Sequence, residues 1–494
     1  MIEKANSLRG LYGQSLSLLT DLYQLTMAYG YWKSGLADRE AVFHLFFRRN
    51  PFAGGYALSC GLSQAIDFVR TLRFDESDIS YLATLEGNDG KRLFEDEFLA
   101  YLAELEFTGD IDAMPEGTVA FAHEPLIRVT APILQCQLLE TSLLNLINFQ
   151  TLIATKAARV CDSARGEPVL EFGLRRAQGI DGSLAASRAA YIGGCAATSN
   201  VLAGKLYGIP VRGTHAHSWV MLFEDEVEAF ATYAQAMPNN CVLLVDTYDT
   251  IAGVKNAIEV GQRLAQGGHR LAGIRLDSGD LAYLSIEARA LLDAAGFEDT
   301  AIVASNDLDE HVIASLKEQG ARIAVWGVGT RLVTAYDQPA LGGVYKLAAV
   351  RDDDGAWVPK IKLSEQPIKV STPGVLQVRR YLDGERFVAD SIYDAELGHG
   401  DGDAIHDLAD ISRTRAIPEH TDHMDLLVPV FRNGELVLDP PSVEQIRTRA
   451  KDSLASLSRR TRRKLNPQTY PVGLDHGVHE RKMRLISAAR ERQS

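Results

Sequence analysis

A repeat of short apolar strands, each followed by a segment with helical patterning, is the feature that most constrains how this 494-residue chain can fold. The strand candidates are residues 168–174, 209–212, 241–245, 271–276, 301–304 and 322–326. A repeat of roughly 30 residues, strand then helix, is what a parallel β/α barrel requires. Residues 344–347 could supply a seventh strand. An open doubly wound sheet is the alternative, but no early glycine-rich dinucleotide fingerprint supports it.

The sequence before the repeat predicts an N-terminal α+β domain. A helix is expected to start at Thr20, which can cap it, and residues 42–47 form an apolar strand candidate. Residues 62–106 have mostly helical patterning, and alternation indicative of strands follows Pro115. One long amphipathic helix is expected from residue 134 to about residue 160.

The sequence after the repeat predicts a β-rich and then helical C-terminal region. Residues 349–358 and 379–388 are hairpin candidates, the second with Asp-Gly at its tip, and helical patterning begins near residue 442. The predicted fold class is therefore α/β, an irregular β/α barrel between an α+β domain and a β-rich, then helical region. The predicted domains are residues 1–130, 131–350 and 351–494.

Charge and composition exclude several classes of function. The net charge of −14 argues against non-specific nucleic-acid binding, which needs a basic surface. The five cysteines contain no C-x-x-C pair, which fits a reducing compartment, and no uncharged apolar run of about 18 residues predicts a membrane span. The N-terminus lacks the pattern of a signal peptide. We therefore expect a soluble, cytoplasmic protein that binds neither nucleic acid nor membrane.

Polar residues follow the carboxyl end of every strand candidate in the repeat, and in β/α barrels this end carries the chemistry. The segments are residues 172–176, 213–218, 246–250, 275–280, 305–307 and 327–330. Arginine side chains and backbone N–H groups of glycine loops bind carboxylates and phosphates, whereas carboxylates suit magnesium or a developing cation. The pattern predicts a substrate with several anionic groups, bound as a magnesium complex.

The same residues have simpler interpretations. Asp and Ser at strand ends are common helix caps, and capping stays open for Asp-Ser-Gly-Asp (277–280) and Ser-Asn-Asp (305–307). His215 and His217 could bind a metal, but no third ligand is recognisable, so a metal pair is disfavoured. The sequence identifies no magnesium ligands.

Several motifs together resemble those of the nicotinate phosphoribosyltransferase family, from Leu18 to about Pro373. They are Thr-Asp-Leu-Tyr-Gln-Leu-Thr-Met (20–27), Glu-Phe-Gly-Leu-Arg-Arg-Ala-Gln-Gly (171–179), Gly-Thr-x-Ala-His-Ser (213–218), Leu-Asp-Ser-Gly-Asp-Leu (276–281), Ala-Ser-Asn-Asp-Leu-Asp-Glu (304–310), Gly-Val-Gly-Thr (327–330), Lys-Leu-Ser-Glu (362–365) and Thr-Pro-Gly (372–374). His215 falls at the variable position of the third motif, which argues further against a metal pair.

The resemblance implies a set of site residues. His217 matches the histidine that ATP phosphorylates, and Asp277 is predicted to act beside it. The predicted substrate-binding residues are Tyr23, Arg175, Thr214, Ser218 and Arg275, of which Tyr23 matches a ring-stacking tyrosine supplied by a second subunit. The predicted phosphate-binding residues are Ser278, Gly279, Ser305, Asn306, Gly327, Gly329 and Thr330.

The implied reaction converts nicotinate and 5-phosphoribosyl-1-pyrophosphate into nicotinate mononucleotide and pyrophosphate, with ATP hydrolysis coupled and Mg²⁺ as cofactor. The implied assembly is a homodimer with shared active sites. Quinolinate and nicotinamide phosphoribosyltransferases are the nearest alternatives, since they share the architecture and differ in the carboxylates they must bind. A catalytically silent barrel subunit is a further alternative, against which the intact His217, Arg275 and Thr330 argue.

Overall fold

The structure, a computed structural model, describes residues 12–366, 369–400, 404–408, 410, 412–418 and 421–491. Its internal contacts divide the chain into two compact units, one comprising Met1–Leu152 and Ala340–Ser494 and the other Ile153–Pro339. Both ends of the chain thus belong to one unit. The three ranges expected from the sequence, 1–130, 131–350 and 351–494, remain a prediction.

The described elements alternate between strands and helices from residue 169 to residue 333, whereas the strands from residue 343 to residue 436 follow one another without an intervening helix. The strands are β1 (Glu40–Phe47), β2 (Ala57–Leu58), β3 (Asp110–Ala113), β4 (Val119–Ala120), β5 (Ile127–Pro132), β6 (Val169–Glu171), β7 (Ala197–Thr198), β8 (Val242–Leu244), β9 (Gly273–Leu276), β10 (Ala301–Ala304), β11 (Val325–Val328), β12 (Gly343–Arg351), β13 (Trp357–Pro359), β14 (Leu376–Asp383), β15 (Arg386–Asp394), β16 (Ala404–Asp407), β17 (Thr414–Ala416), β18 (Asp422–Asp425), β19 (Val428–Arg432), β20 (Glu435–Leu436) and β21 (Val472–Leu474). The helices are α1 (Leu22–Lys33), α2 (Leu62–Arg70), α3 (Glu76–Leu82), α4 (Asp96–Ala103), α5 (Ile133–Leu138), α6 (Glu140–Ala164), α7 (Gly179–Ile192), α8 (Val201–Tyr207), α9 (His217–Met221), α10 (Glu226–Ala236), α11 (Thr250–Gln266), α12 (Leu281–Ala294), α13 (Glu310–Glu318), α14 (Thr330–Val333), α15 (Val443–Ser456) and α16 (His476–Glu491).

The unit that contains both chain ends is built on two larger sheets, ordered β13-β12-β1-β5-β3-β19-β20 and β17-β16-β21-β15-β14-β18. The two predicted hairpins are present as β12–β13 and β14–β15. Residues 344–347 do not extend the barrel, because β12 pairs antiparallel with β1 from Ala41↔Val350 to Phe47↔Gly343. The expectation of a seventh barrel strand there was wrong.

Two helix boundaries in this unit differ from expectation. The first described helix begins at Leu22, with Asp21 at the N-cap, and the Thr20 hydroxyl bonds the Gln24 side chain instead of capping. The long helix expected from residue 134 is divided, since α5 ends at Leu138 and α6 starts at Glu140.

The second unit contains the repeat as a parallel sheet ordered β7-β6-β11-β10-β9-β8. The first strand of the repeat pairs with the last, and the remaining strands follow in cyclic order, which is barrel topology and not the reversing order of a doubly wound sheet. Ile274, Leu276, Ile302, Trp326 and Val328 are each at most 1% exposed. Their strands read as apolar runs because both faces of a parallel sheet are covered.

The predicted strand at 209–212 is not formed. Val211 makes only an isolated parallel bridge to Thr198 in the two-residue strand β7. Because Pro210 has no N–H to donate, this segment can form fewer backbone hydrogen bonds with a neighbouring strand. Across the described residues, no helix is both long and apolar enough to cross a membrane.

Candidate active site

Arg275, near the carboxyl end of β9, is held by three hydrogen bonds in the second unit. Its Nε donates to Ser305 Oγ at 2.8 Å, Nη1 to Thr214 Oγ1 at 2.9 Å and Nη2 to Asp277 Oδ1 at 2.9 Å. The guanidinium carbon also lies 5.8 Å from the centre of the Phe172 ring. Residues from four separate segments of the chain thus converge on one cation.

Asp277 and Asp246 form a connected acidic pair beside this cation. The Asp277 backbone N–H donates to Asp246 Oδ2 at 2.8 Å, and Ser278 Oγ donates to the same oxygen at 2.7 Å. Asp277 Oδ1 also accepts from Ser305 Oγ. These bonds fix the loop that follows β9 onto the loop that follows β8.

His217 begins helix α9 and faces Asp277 of the acidic pair. Its Nδ1 is 3.2 Å from Thr247 Oγ1, and its Nε2 is 3.8 Å from Asp277 Oδ2. The second distance is too long for a hydrogen bond. With Nδ1 engaged, Nε2 is the ring nitrogen left available for chemistry.

Other acidic residues that follow strands cap the next helix, which is the simpler interpretation that the sequence left open. Asp249 accepts from Ala252 N at the start of α11, Asp280 from Ala282 N and Tyr283 N at the start of α12, and Asp309 from His311 N and Val312 N at the start of α13. Asp246 and Asp277 do not cap these helices. The structure thereby separates the acids that cap helices from Asp277, which contacts Arg275 and faces His217, and from Asp246, which bonds the loop of Asp277.

The predicted phosphate-binding loops have the close approaches and special backbone that favour glycine. Gly279 has φ +77°, and a Cβ on Gly327 would lie 2.8 Å from the Phe172 ring. Asn306 and Asp307 also have positive φ, 90° and 30°, just after β10. Gly329 precedes Thr330, the first residue of the short helix α14.

The remaining predicted residues are placed with fewer contacts. Arg175 is exposed in a 3₁₀ turn, Leu174–Arg176, after β6, and Ser218 is exposed on α9. Neither has a side-chain hydrogen bond within the described part of the chain. Tyr23 belongs to the other unit, on α1, where it is 47% exposed and its hydroxyl accepts from Gln24 Nε2 at 3.3 Å.

The structure adds Asp246, Thr247 and Phe172 to the residues singled out from the sequence. All three lie in the strand-end segments, but type and position alone do not distinguish Asp246 and Thr247 from the neighbouring cap Asp249. Their hydrogen bonds to other loops would identify them, and only the folded chain shows these bonds.

The same carboxylates are the candidate ligands for a metal ion. Among the described residues, no group of three or more His, Cys, Asp or Glu side chains is arranged to hold a metal ion. Asp246 Oδ1, however, is buried without a hydrogen-bond partner in that part of the chain. A buried, unpaired carboxylate oxygen is costly and fits a hard cation whose other ligands come from phosphates and water.

The chain matches three family models along nearly its whole length. They are the nicotinate phosphoribosyltransferase N-terminal domain over residues 18–148, the nicotinate phosphoribosyltransferase family over residues 169–369 and its C-terminal domain over residues 377–482. The nicotinate phosphoribosyltransferase of Bacillus subtilis is 46% identical over 98% of both chains. That of Homo sapiens is 37% identical over 92% of this chain and 94% of the relative.

The fold is similar to a solved member of the same family. The crystal structure of human nicotinic acid phosphoribosyltransferase superposes with a TM-score of 0.82 at 34% identity, over 94% of this chain and 99% of that one. This likeness supports the α/β class and the strand-rich, helix-ending C-terminal region predicted from the sequence. The three family models and the full-length relatives agree with the motifs at the strand ends, and the chain belongs to the nicotinate phosphoribosyltransferase family.

Proposed function

We propose that this protein transfers the phosphoribosyl group of 5-phosphoribosyl-1-pyrophosphate to nicotinate and couples the transfer to ATP hydrolysis through a phosphohistidine. The products are nicotinate mononucleotide, pyrophosphate, ADP and phosphate. The observation that carries the proposal is the arginine clamp at the carboxyl end of β9, where Thr214, Ser305 and Asp277 hold Arg275.

Arg275 suits the carboxylate of nicotinate. Each terminal nitrogen of a guanidinium carries two N–H groups. Among the described residues, one N–H of Nη1 and one of Nη2 are hydrogen-bonded, so one N–H on each nitrogen is open to a ligand. A carboxylate can accept from two terminal N–H groups of one guanidinium through parallel hydrogen bonds. Nicotinamide offers no charge to this clamp.

In the transfer step, the pyridine nitrogen attacks the anomeric carbon of the ribose while the bond from that carbon to the pyrophosphate oxygen breaks. The electron pair of this bond leaves with pyrophosphate, and positive charge develops on the ribose ring. Carboxylates placed before the reaction begins stabilise such charge without reorganisation. Asp277, whose position is fixed by Arg275 and Ser305, is suited to that role.

Asp246 is the residue that would hold Mg²⁺, because its Oδ1 is buried without a hydrogen-bond partner among the described residues. The ion would neutralise charge on the departing pyrophosphate. The Ser278–Gly279, Ser305–Asn306 and Gly327–Thr330 loops would bind phosphate groups through hydroxyls and backbone N–H groups.

His217 is the proposed phosphoryl acceptor. If Nδ1–H donates to Thr247 Oγ1, the lone pair on Nε2 is free to attack the γ-phosphorus of ATP, and ADP leaves. Water then releases phosphate from the histidine. The phosphohistidine adds negative charge and new acceptors beside Asp246 and Asp277, by analogy with other phosphorylated side chains. That addition would change how the loops bind the magnesium–substrate complex.

We further propose a cytoplasmic homodimer in which Tyr23 of one subunit stacks on the pyridine ring bound by the other. Tyr23 is 47% exposed, and Leu19, Leu22 and Met27 nearby are 38%, 53% and 39% exposed. Large apolar side chains concentrated on one segment are typical of a protein interface.

Replacement of His217 tests the coupling. His217→Ala should abolish nicotinate-dependent ATP hydrolysis and the acid-labile phosphoenzyme, while slow, ATP-independent formation of nicotinate mononucleotide survives. His269→Ala is the matched control, because His269 lies before the amino end of β9 and its ring hydrogen-bonds the Asn239 side chain, away from His217 and Arg275. Normal nicotinate-dependent ATP hydrolysis with a persistent phosphoenzyme in His217→Ala would contradict the proposal.

A further inference from the structure

Among the described residues, the cyclic strand order of the second unit is interrupted between the Val211 segment and β8, and we call this gap the open edge. In this order the segment at Val211 pairs with β7 through a single bridge, and β8 pairs with β9. Within the described residues, no backbone ladder joins the Val211 segment to β8. The N–H groups of a strand alternate between its two sides, and Val245 N–H donates to Arg275 O on the β9 side. The Leu244 N–H therefore points towards the open edge.

His215 occupies this edge. Its Nε2 accepts the Leu244 N–H at 3.2 Å, so a ring nitrogen takes the place of the carbonyl that a neighbouring strand would provide. Its Nδ1 lies 3.3 Å from the Ala216 carbonyl oxygen, which can only accept. Both contacts require the neutral tautomer that carries its proton on Nδ1.

The environment of the ring favours the neutral form. His215 is only 9% exposed, and its ring packs edge-on against Tyr233 of α10 at a centroid distance of 4.7 Å. Burial, and the neighbouring positive charge of Arg275, lower the pKa of His215 despite the opposing bond to Ala216 O. At neutral pH, Nε2 is thus available as an acceptor.

The residues on either side of His215 belong to the candidate site. Thr214 Oγ1 accepts from Arg275 Nη1, and His217 faces Thr247 and Asp277. We propose that His215 is a positioning residue that closes the open barrel edge against β8 and thereby fixes the Thr214–His217 loop for phosphoryl transfer. The role in phosphoryl transfer rests on the proposed function, whereas the hydrogen bond to Leu244 does not.

Two substitutions distinguish the role of His215 Nε2 as a hydrogen-bond acceptor from the packing of the His215 ring. His215→Phe keeps an aromatic ring against Tyr233 but removes the acceptor. His215→Gln places an amide oxygen near the position of Nε2. The first readout is hydrogen exchange of the Leu244 amide, followed by mass spectrometry of overlapping peptides across residues 241–247. The second is nicotinate-dependent ATP hydrolysis, with kcat and KM measured separately.

We expect His215→Phe to speed Leu244 exchange, because a buried N–H loses its partner, and to lower kcat by up to roughly a hundredfold, the scale on which a small misplacement of catalytic groups slows a reaction. KM for nicotinate should change less than kcat, because His215 does not contact Arg275 directly. His215→Gln should retain most of the protection and most of kcat. His269→Phe is the matched control at the opposite end of the sheet and should change neither readout.

Unchanged Leu244 protection in His215→Phe would overturn the hydrogen bond, and lost protection with unchanged kcat would overturn the positioning role. If His215→Phe does not fold, wild type, His215→Gln and His215→Asn are compared at one pH, since the shorter Asn side chain keeps the amide but brings its oxygen short of the Leu244 N–H. Leu244 should lose protection in His215→Asn only, and equal protection in all three proteins overturns the proposal. If the wild type fails to turn over nicotinate, the proposed function is wrong, and the exchange experiment still decides whether His215 holds the loop.

Discussion

Arg275 makes three hydrogen bonds to described residues, and one N–H on each terminal nitrogen makes none with them, so both are open to a ligand. Arg275→Ala should therefore reduce kcat/KM for nicotinate by an amount equivalent to about 2–5 kcal/mol, the usual effect of truncating one partner of a buried charge pair. KM for 5-phosphoribosyl-1-pyrophosphate should change far less. Steady-state kinetics with each substrate varied in turn measures both effects.

A matched control for this prediction is Arg270→Ala. Arg270 precedes β9, its side chain is 87% exposed, and its nearest carboxylate, on Asp299, is 4.0 Å away. Such a surface arginine should affect neither substrate. Equal losses for both substrates in Arg275→Ala would identify Arg275 as a structural residue and contradict a nicotinate clamp.

The acids at the strand ends show how far single residues can be interpreted without a structure. Asp249 and Asp280 accept from the N–H groups of their own helices, whereas Asp246 and Asp277 bond to other loops. Nothing in their sequence positions separates these two classes, because every one of them follows a strand and precedes a helix. The sequence could therefore predict that a site lies here, but not which carboxylates face it.

At the scale of elements, two kinds of predicted strand formed: apolar runs that are almost wholly buried, such as β9 and β10, and strands joined by a predicted hairpin turn, such as β14 and β15. Residues 209–212 failed because the segment contains Pro210 and bridges its neighbour at only one residue. The two-residue strand β7 has no periodicity to detect. Strand β12 was assigned to the wrong sheet, since a strand pattern does not reveal its partner, and β1 lies about 300 residues earlier in the sequence.

A buried ionic network connects helices α6 and α13 in the second unit. Lys156 Nζ lies 2.6 Å from Glu310 Oε2, and Arg159 Nε donates to Glu310 Oε1 at 2.8 Å. The side chains of Lys156 and Glu310 are fully buried, and Lys156 also pairs with Asp337. Glu310→Gln should reduce the free energy of unfolding by about 3–5 kcal/mol, because it leaves buried cations without their shared anion.

Chemical denaturation of Glu310→Gln, with Glu318→Gln as the control variant, checks this prediction. Glu318 is exposed at the last turn of the same helix, so its neutralisation should change stability by less than about 0.5 kcal/mol. Similar unfolding midpoints and slopes for wild type and Glu310→Gln would show that the network contributes little net stability.

At the scale of the whole molecule, the prediction concerns assembly. Tyr23 and His217 belong to different compact units of one chain, and the family resemblance assigns Tyr23 to the active site of a second subunit. A two-fold dimer gives each subunit the same role, so it would contain two identical composite sites. The competing interpretation is an aromatic side chain on a surface helix with no part in the reaction.

Subunit mixing distinguishes the two interpretations. Tyr23→Ala and His217→Ala homodimers should each be impaired, because every site lacks one element. In a mixed dimer, one site carries both lesions and the other carries none. With random exchange half of the dimers are mixed, so roughly one quarter of all sites should recover nicotinate-dependent ATP hydrolysis. The control mixes His217→Ala with a tagged copy of His217→Ala, so that subunits exchange but no intact site can form. If verified exchange leaves activity at the level of the parents, the active site is complete within one chain.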